Sequence, residues 1–289
     1  MRARLSLIVG ILPLILGSPV PAEDCNPSDP TLLKPDLVAL PPSRVRVLQR
    51  GTTRRVIFAT KIANLGKGPL IIHGKTINTP SGPITQATQI IKRSDGSECG
   101  YMAGSFEFHV SHNHFHLNDF SSYELHADAP LSGRLVAKSD KISFCVADIE
   151  PVRGMETQRQ VLAQCGTQEG IQGISVGWAD VYDNYLPEQW VDVAPDVAPG
   201  AYFLTNVADP DDLLLEENES RESNAGSVSI SVPAVIGAST GQPTPTATTA
   251  ATGPTPTRTS VARPPRPPRA ARPPHPIRPQ RPPRPTPIR

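Results

Sequence analysis

The chain has 289 residues, 19% of them charged, with 34 prolines and a formal net charge of +1. That charge joins two unlike parts: residues 241–289 carry nine arginines and no acid, so residues 23–240 stand at −10 once Arg2 and Arg4 are also set aside. An acidic body argues against nucleic acid as a partner and attracts cationic substrates from a distance.

Residues 1–22 read as a secretory signal. Arg2 and Arg4 give a positive start, residues 5–16 are apolar but too short to span a bilayer, and Val20-Pro21-Ala22 fits cleavage after Ala22. No later segment has the length and apolarity of a transmembrane helix. The expectation is an exported protein, secreted or held at a cell surface. Cys25, Cys99, Cys145 and Cys165 are an even set in such a chain, which favours two disulfides. Spacing alone leaves three connectivities open.

Residues 23–50 form a proline-rich lead-in. Residues 51–240 then read as one domain of short strands. Val56, Phe58 and the stretch around Ile62 alternate with polar or small residues. Runs at 70–72, 84–91, 105–110, 123–126, 142–146, 190–193, 202–207 and 228–232 are β-branched or aromatic, with Gly, Pro, Asn and Asp between them. Residues 148–164 are the best helical candidate and hold no sustained 3.6-residue period. The pattern predicts an all-β fold, an antiparallel β-sandwich of immunoglobulin-like character. Asn64-Leu65-Gly66 and Pro199-Gly200-Ala201-Tyr202 look like turn and strand signatures of such sandwiches. From residue 241 the composition narrows to Pro, Thr and Ala, then Arg and Pro. Such a tail cannot bury apolar surface and is expected to be disordered, with an anionic surface polymer as its candidate partner.

Five of the seven histidines fall between His109 and His126, and three alternate: His112-Asn113-His114-Phe115-His116. In an extended strand His112, His114 and His116 share one face. Imidazole suits copper, zinc, iron and nickel, so the run predicts a metal site. His109 lies three positions before His112 and has the opposite strand parity. That gives it a supporting role unless a bulge re-aims it. Lys141 and Tyr182, taken alone, read as a strand-edge charge and a packing aromatic.

Residues 106–116 resemble the copper-binding segment of the lysyl oxidases, an aromatic-rich strand with a similar His-x-His-x-His triplet. Phe120-Ser121-Ser122-Tyr123 follows, like the family's Phe-Ser-x-Tyr stretch. Lys141-Ile142-Ser143-Phe144-Cys145 resembles the family's Lys-x-Ser-Phe-Cys. Gln172-Gly173-Ile174-Ser175 leads to Asp180-Val181-Tyr182, and Gln189-Trp190-Val191-Asp192-Val193 follows with similar spacing. The likeness covers roughly residues 54–232. It implies copper on His112, His114 and His116, and a lysine tyrosylquinone built from Lys141 and Tyr182. It further implies oxidation of primary amines (peptidyl lysine or small amines) by O2 to aldehydes, with ammonia and hydrogen peroxide released. A lysine that attacks a quinone must be neutral, hence partly desolvated. Asp180, near Tyr182, becomes a candidate base. With this alignment the expected disulfides are Cys25–Cys99 and Cys145–Cys165, the second bracing the segment between the two cofactor residues.

The chain also departs from the family pattern. Ser111 stands where the animal enzymes carry a cysteine, Trp178 and Glu188 stand where they carry another pair, and extra residues separate Lys141 from Tyr182. These departures predict a different substrate groove. Two other functions compete with amine oxidation. One is a non-enzymatic exported copper-binding sandwich. The other is a zinc hydrolase, for which the chain offers no His-Glu-x-x-His helix.

Overall fold

A computed structural model describes residues 23–140, 142–155 and 162–235, all within the compact unit formed by residues 1–240. The signal-like residues 1–22, Lys141 and the tail lie outside the described residues. The chain order of strands begins with β1 (Glu23–Asp24), β2 (Leu32–Leu33), β3 (Leu37–Ala39), β4 (Ser43–Arg50), β5 (Thr53–Asn64) and β6 (Leu70–Thr79). It continues with β7 (Gly82–Arg93), β8 (Glu98–His109), β9 (His114–Leu117), β10 (Ser121–His126), β11 (Leu135–Lys138) and β12 (Glu150–Pro151). β13 (Ile171–Ile174), β14 (Trp178–Tyr182), β15 (Trp190–Val193), β16 (Gly200–Ala208) and β17 (Ala225–Val232) complete it.

Three sheets result. The first runs β1-β8-β7-β6-β13, with β2 on β7 and β9 on β8; the second runs β11-β10-β16-β17. The third runs β12-β14-β5-β15, with β3 and β4 also on β5. The pairs are antiparallel except β1 with β8. The all-β expectation holds, and among the described residues no helix is long and apolar enough to cross a membrane. Sheet order by itself does not establish the immunoglobulin-like character. The lead-in contributes strands of its own: β3 and β4 pair with β5.

Period-two patterning explains the strands. In β7, Thr85, Ala87, Gln89 and Ile91 are buried while their neighbours face outward. In β5, Val56 and Phe58 enter the core beside Arg54, whose guanidinium donates to the carbonyls of Ala194, Val197 and Pro233. β10 is buried on both faces. Tyr123 and Leu125 face the core; on the other face Glu124 accepts from His126 and Arg221. Buried and bonded to Glu124, His126 is a structural residue.

Two expected elements differ. Residues 142–146 form no strand; they meet β9 through a single bridge between Leu117 and Phe144. No helix occurs in the described part of 148–164, because Val152 and Ile149 donate instead to the carbonyls of Gly177 and Ala179. Aromatic edges run from the core toward the site. Phe58 meets Tyr123 at 4.9 Å, Tyr123 meets Phe144 at 5.8 Å, and Phe144 meets Tyr182 at 4.9 Å. Burying each such side chain stabilises the fold by about 1.5–3 kcal/mol.

Both disulfides pair as expected, Cys25–Cys99 and Cys145–Cys165. The first sits in its own small cluster with Leu32, Ile91 and Leu215.

Candidate metal and cofactor site

The histidine run is a hairpin, not one strand. β8 ends at His109, residues 110–113 turn, and β9 starts at His114. The backbone amides of His112 and Asn113 both donate to the carbonyl of His109, at 3.1 and 2.8 Å. Asn113 takes a positive φ of 58°, a conformation this residue type tolerates better than most. His112 therefore reaches the site from the turn, while His114 and His116 share one face of β9.

The hairpin also re-aims His109. It is the cross-strand partner of His114, and directly opposed residues lie on the same face of a sheet. Counting parity along the run misses this, because the chain reverses between the two residues. Ring centroids place His109 at 4.6 Å from His112 and 4.7 Å from His116. His114 lies 4.8 Å from His116 and 5.6 Å from His112. Four imidazoles thus meet. Ring nitrogens of His109, His112 and His116 lie within 4.8 Å of one another.

The donor set fits a metal. His112 Nδ1 and His116 Nε2 are 3.2 Å apart, a separation two ligands of one ion can adopt when each bond is about 2.0–2.1 Å. His116 is fully buried, and its other nitrogen, Nδ1, faces Ser143 Oγ at 3.2 Å. A hydrogen bond on the far nitrogen fixes the orientation of a ligand ring.

Residues 142–145 tie this cluster to Tyr182. Ser143 meets His116. Phe144 exchanges backbone hydrogen bonds with Leu117 and packs its ring edge-on against Tyr182. The Tyr182 hydroxyl donates to the Cys145 carbonyl at 2.7 Å. Gln172, fully buried, accepts from the amide of Val146 and donates to the carbonyl of Phe115. Gly173 donates to Val146 while a Cβ on it would lie 2.0 Å from the Leu70 carbonyl, so only glycine lets β13 close on β6 here. Lys141 lies outside the described residues. The chain on either side of it is anchored: Ser139 donates to the Tyr123 carbonyl, and Phe120 donates to the Ile142 carbonyl.

Tyr182 sits on β14 opposite Thr60 of β5. Removal from water, and then the negative charge of Asp180, push its pKa well above the usual phenol value. Asp180 is two residues away on the same strand, shares its face, and is buried. Ser143, Ser111 and Gln172 were not legible as site residues. Their hydroxyls and amide act on ring nitrogens and carbonyls that only the folded chain brings near.

An open groove of about 420 Å³ borders the cluster, lined by His109, Lys138, Ser139, Asp140, Glu188 and Trp190, with Asp192. Asp192 is engaged by Arg55, whose guanidinium stacks 4.0 Å from the Trp190 ring.

The fold and site define an all-β, disulfide-braced domain that gathers imidazoles beside a partly buried tyrosine. Residues 92–231 match the sequence profile of the family described as lysyl oxidase. Lysyl oxidase homolog 2 of Xenopus tropicalis is 38% identical over 115 residues, covering 39% of this chain and 14% of that protein. Protein-lysine 6-oxidase of Gallus gallus is 36% identical over 117 residues, covering 40% of this chain and 26% of that protein. Over this segment the chain belongs to the lysyl oxidase family. The match spans 14% and 26% of the length of these two relatives.

Proposed function

We propose that the protein is exported and oxidises primary amines, peptidyl lysine or small amines, to aldehydes. One amine, one O2 and one water give one aldehyde, one ammonia and one hydrogen peroxide. Copper would be held by His112, His114 and His116, and Lys141 and Tyr182 would form lysine tyrosylquinone. When bound, these groups supply the two-electron carbonyl chemistry that amino-acid side chains lack.

The chain's own residues have distinct tasks in this reading. Ser143 fixes the His116 ring. Cys145 holds the Tyr182 hydroxyl in a set orientation, and burial keeps its proton on the oxygen. Asp180, on the same face as Tyr182, is the candidate base for the α-proton of the substrate. The groove beside His109 admits the amine, and Asp140 and Glu188 at its wall attract a cationic one. Export is supported by the signal-like start and by the two disulfides. The observation that carries the reading is residues 143–145, which contact His116 at one end and Tyr182 at the other.

The test is peptide mass measurement on copper-loaded protein for a crosslink between Lys141 and Tyr182, with peroxide assayed on a diamine. Tyr182→Phe and Lys141→Ala should keep copper and lose both quinone absorbance and peroxide. Full peroxide output from Tyr182→Phe, or a parent with neither crosslink nor quinone, overturns the reading. The latter result, with copper still bound, would leave the non-enzymatic copper-binding alternative.

A further inference from the structure

We propose that Glu188 limits the number of imidazoles on the metal by holding His109 away from it. This rests on the metal half of the reading above and not on the quinone. His109 is close enough to be a ligand, because its ring stacks on that of His116. Yet both of its nitrogens are committed to oxygens. Nε2 lies 3.2 Å from Glu188 Oε2, and Nδ1 lies 3.0 Å from Ser111 Oγ.

A ring nitrogen binds a metal through its lone pair. In the tautomer with its proton toward the carboxylate, that nitrogen has no lone pair to give. In the neutral ring, Nδ1 then accepts from the Ser111 hydroxyl. In the imidazolium both nitrogens donate. Either way, the Ser111 hydrogen bond and the Glu188 contact both compete with a metal for the nitrogens of His109.

The backbone is built to present Glu188. It takes a positive φ of 62°, a costly conformation for a residue with a Cβ. The amide of Trp190 closes the turn on the Glu188 carbonyl at 2.9 Å. The next side chain, Gln189, is fully buried and locked to Thr60 and Tyr123. Ser111 and Glu188, the two partners of His109, both stand at departures from the family pattern. His109 and Glu188 also line the groove, so their pairing sits where a substrate would approach. An ion with three protein ligands keeps more of its coordination positions open than one with four imidazoles.

The experiment counts coordinated imidazoles by pulsed electron paramagnetic resonance on the copper-loaded full chain. The parent and His109→Ala should show the same number. Glu188→Ala should gain one imidazole, and the Glu188→Ala/His109→Ala double variant should return to the parent count. Glu188→Gln, whose amide oxygen still accepts from Nε2, should match the parent. Loss of an imidazole in His109→Ala, or an unchanged spectrum in Glu188→Ala, overturns the proposal. Failure of the amine oxidase reading alone would leave these spectra as expected. A parent whose copper signal survives replacement of His112, His114 and His116 together overturns the metal assignment and the proposal with it.

Discussion

The Tyr182 hydroxyl donates to the carbonyl of Cys145, at one end of the Cys145–Cys165 bridge. At the other end the Cys165 carbonyl accepts from the amide of Phe115 at 2.7 Å, between His114 and His116. One covalent link therefore braces the tyrosine against the histidine strand. Replacing both cysteines with serine opens a loop with a sequence separation of 20 residues. Loop closure of that size contributes about 3 kcal/mol, and for a domain of this size that corresponds to a fall in Tm of roughly 6–12 °C. Calorimetry checks the stability and quinone absorbance checks the site. An unchanged Tm would show that the bridge does not restrain the unfolded chain.

Copper retention separates the two ligand sets the hairpin permits. His114→Ala should remove most bound copper after purification, measured as metal per protein, since it deletes one of three ligands. Normal copper in that variant would shift the site to His109, His112 and His116, whose nitrogens already converge.

What the sequence made legible was local. Alternation in β7 and the shared face of His114 and His116 were readable because side-chain period and strand period coincide, whereas His112, expected on that face, reaches the cluster from the turn. The role of His109 was not, since it depends on where the chain reverses. That reversal is set by two amides on the His109 carbonyl and by the left-handed Asn113. The run 142–146 has the composition of a strand, but its hydrogen bonds are scattered over Leu117, Phe120, Gln172, Gly173 and Tyr182 rather than laddered along one partner. In the sequence Glu188 stands out only as a departure from the family pattern. Its partner could be known only after β8 and the turn before β15 came together.

The tail gives a separable test. Residues 241–289 have no apolar pattern with which to dock, and nine arginines without an acid. Truncation after Thr240 should leave the thermal transition and copper content unchanged. Binding to an anionic polymer such as heparin should be lost on truncation. In the full chain it should weaken above roughly 0.1 M salt, where exposed charges are screened. A truncated chain that fails to fold would show that the tail belongs to the domain.

Stability should fall as pH rises from about 5 to 9, owing to three carboxyls in the loop after β16. Burial raises Asp209 to about 6, Glu219 to about 7 and Glu216 to about 9, and repulsion from neighbouring acids adds to the effect: Asp211 and Asp212 on Asp209, Asp212 on Glu219, and Asp209 and Glu219 on Glu216. Glu216 accepts from the amide of Leu37 and from Asn224, so it joins the loop to β3. Each group binds its proton more tightly when folded than when unfolded. The stability this gives is complete below the unfolded values near 4 and is lost as pH climbs through the folded ones. Glu124 works in the opposite direction. Burial would raise it, but the bonds from Arg221 and His126 outweigh burial and set it below the usual value, so its contribution is lost in acid. The optimum therefore lies on the acid side of neutrality. The measurement is Tm against pH in chelator-treated protein, so that no cation neutralises the loop. Glu216→Gln keeps an oxygen for the Leu37 amide and removes the charge, so it should flatten the slope and raise Tm at pH 8–9. A parent Tm that stays level or rises from pH 5 to 9, or a Glu216→Gln profile parallel to the parent, would refute this account.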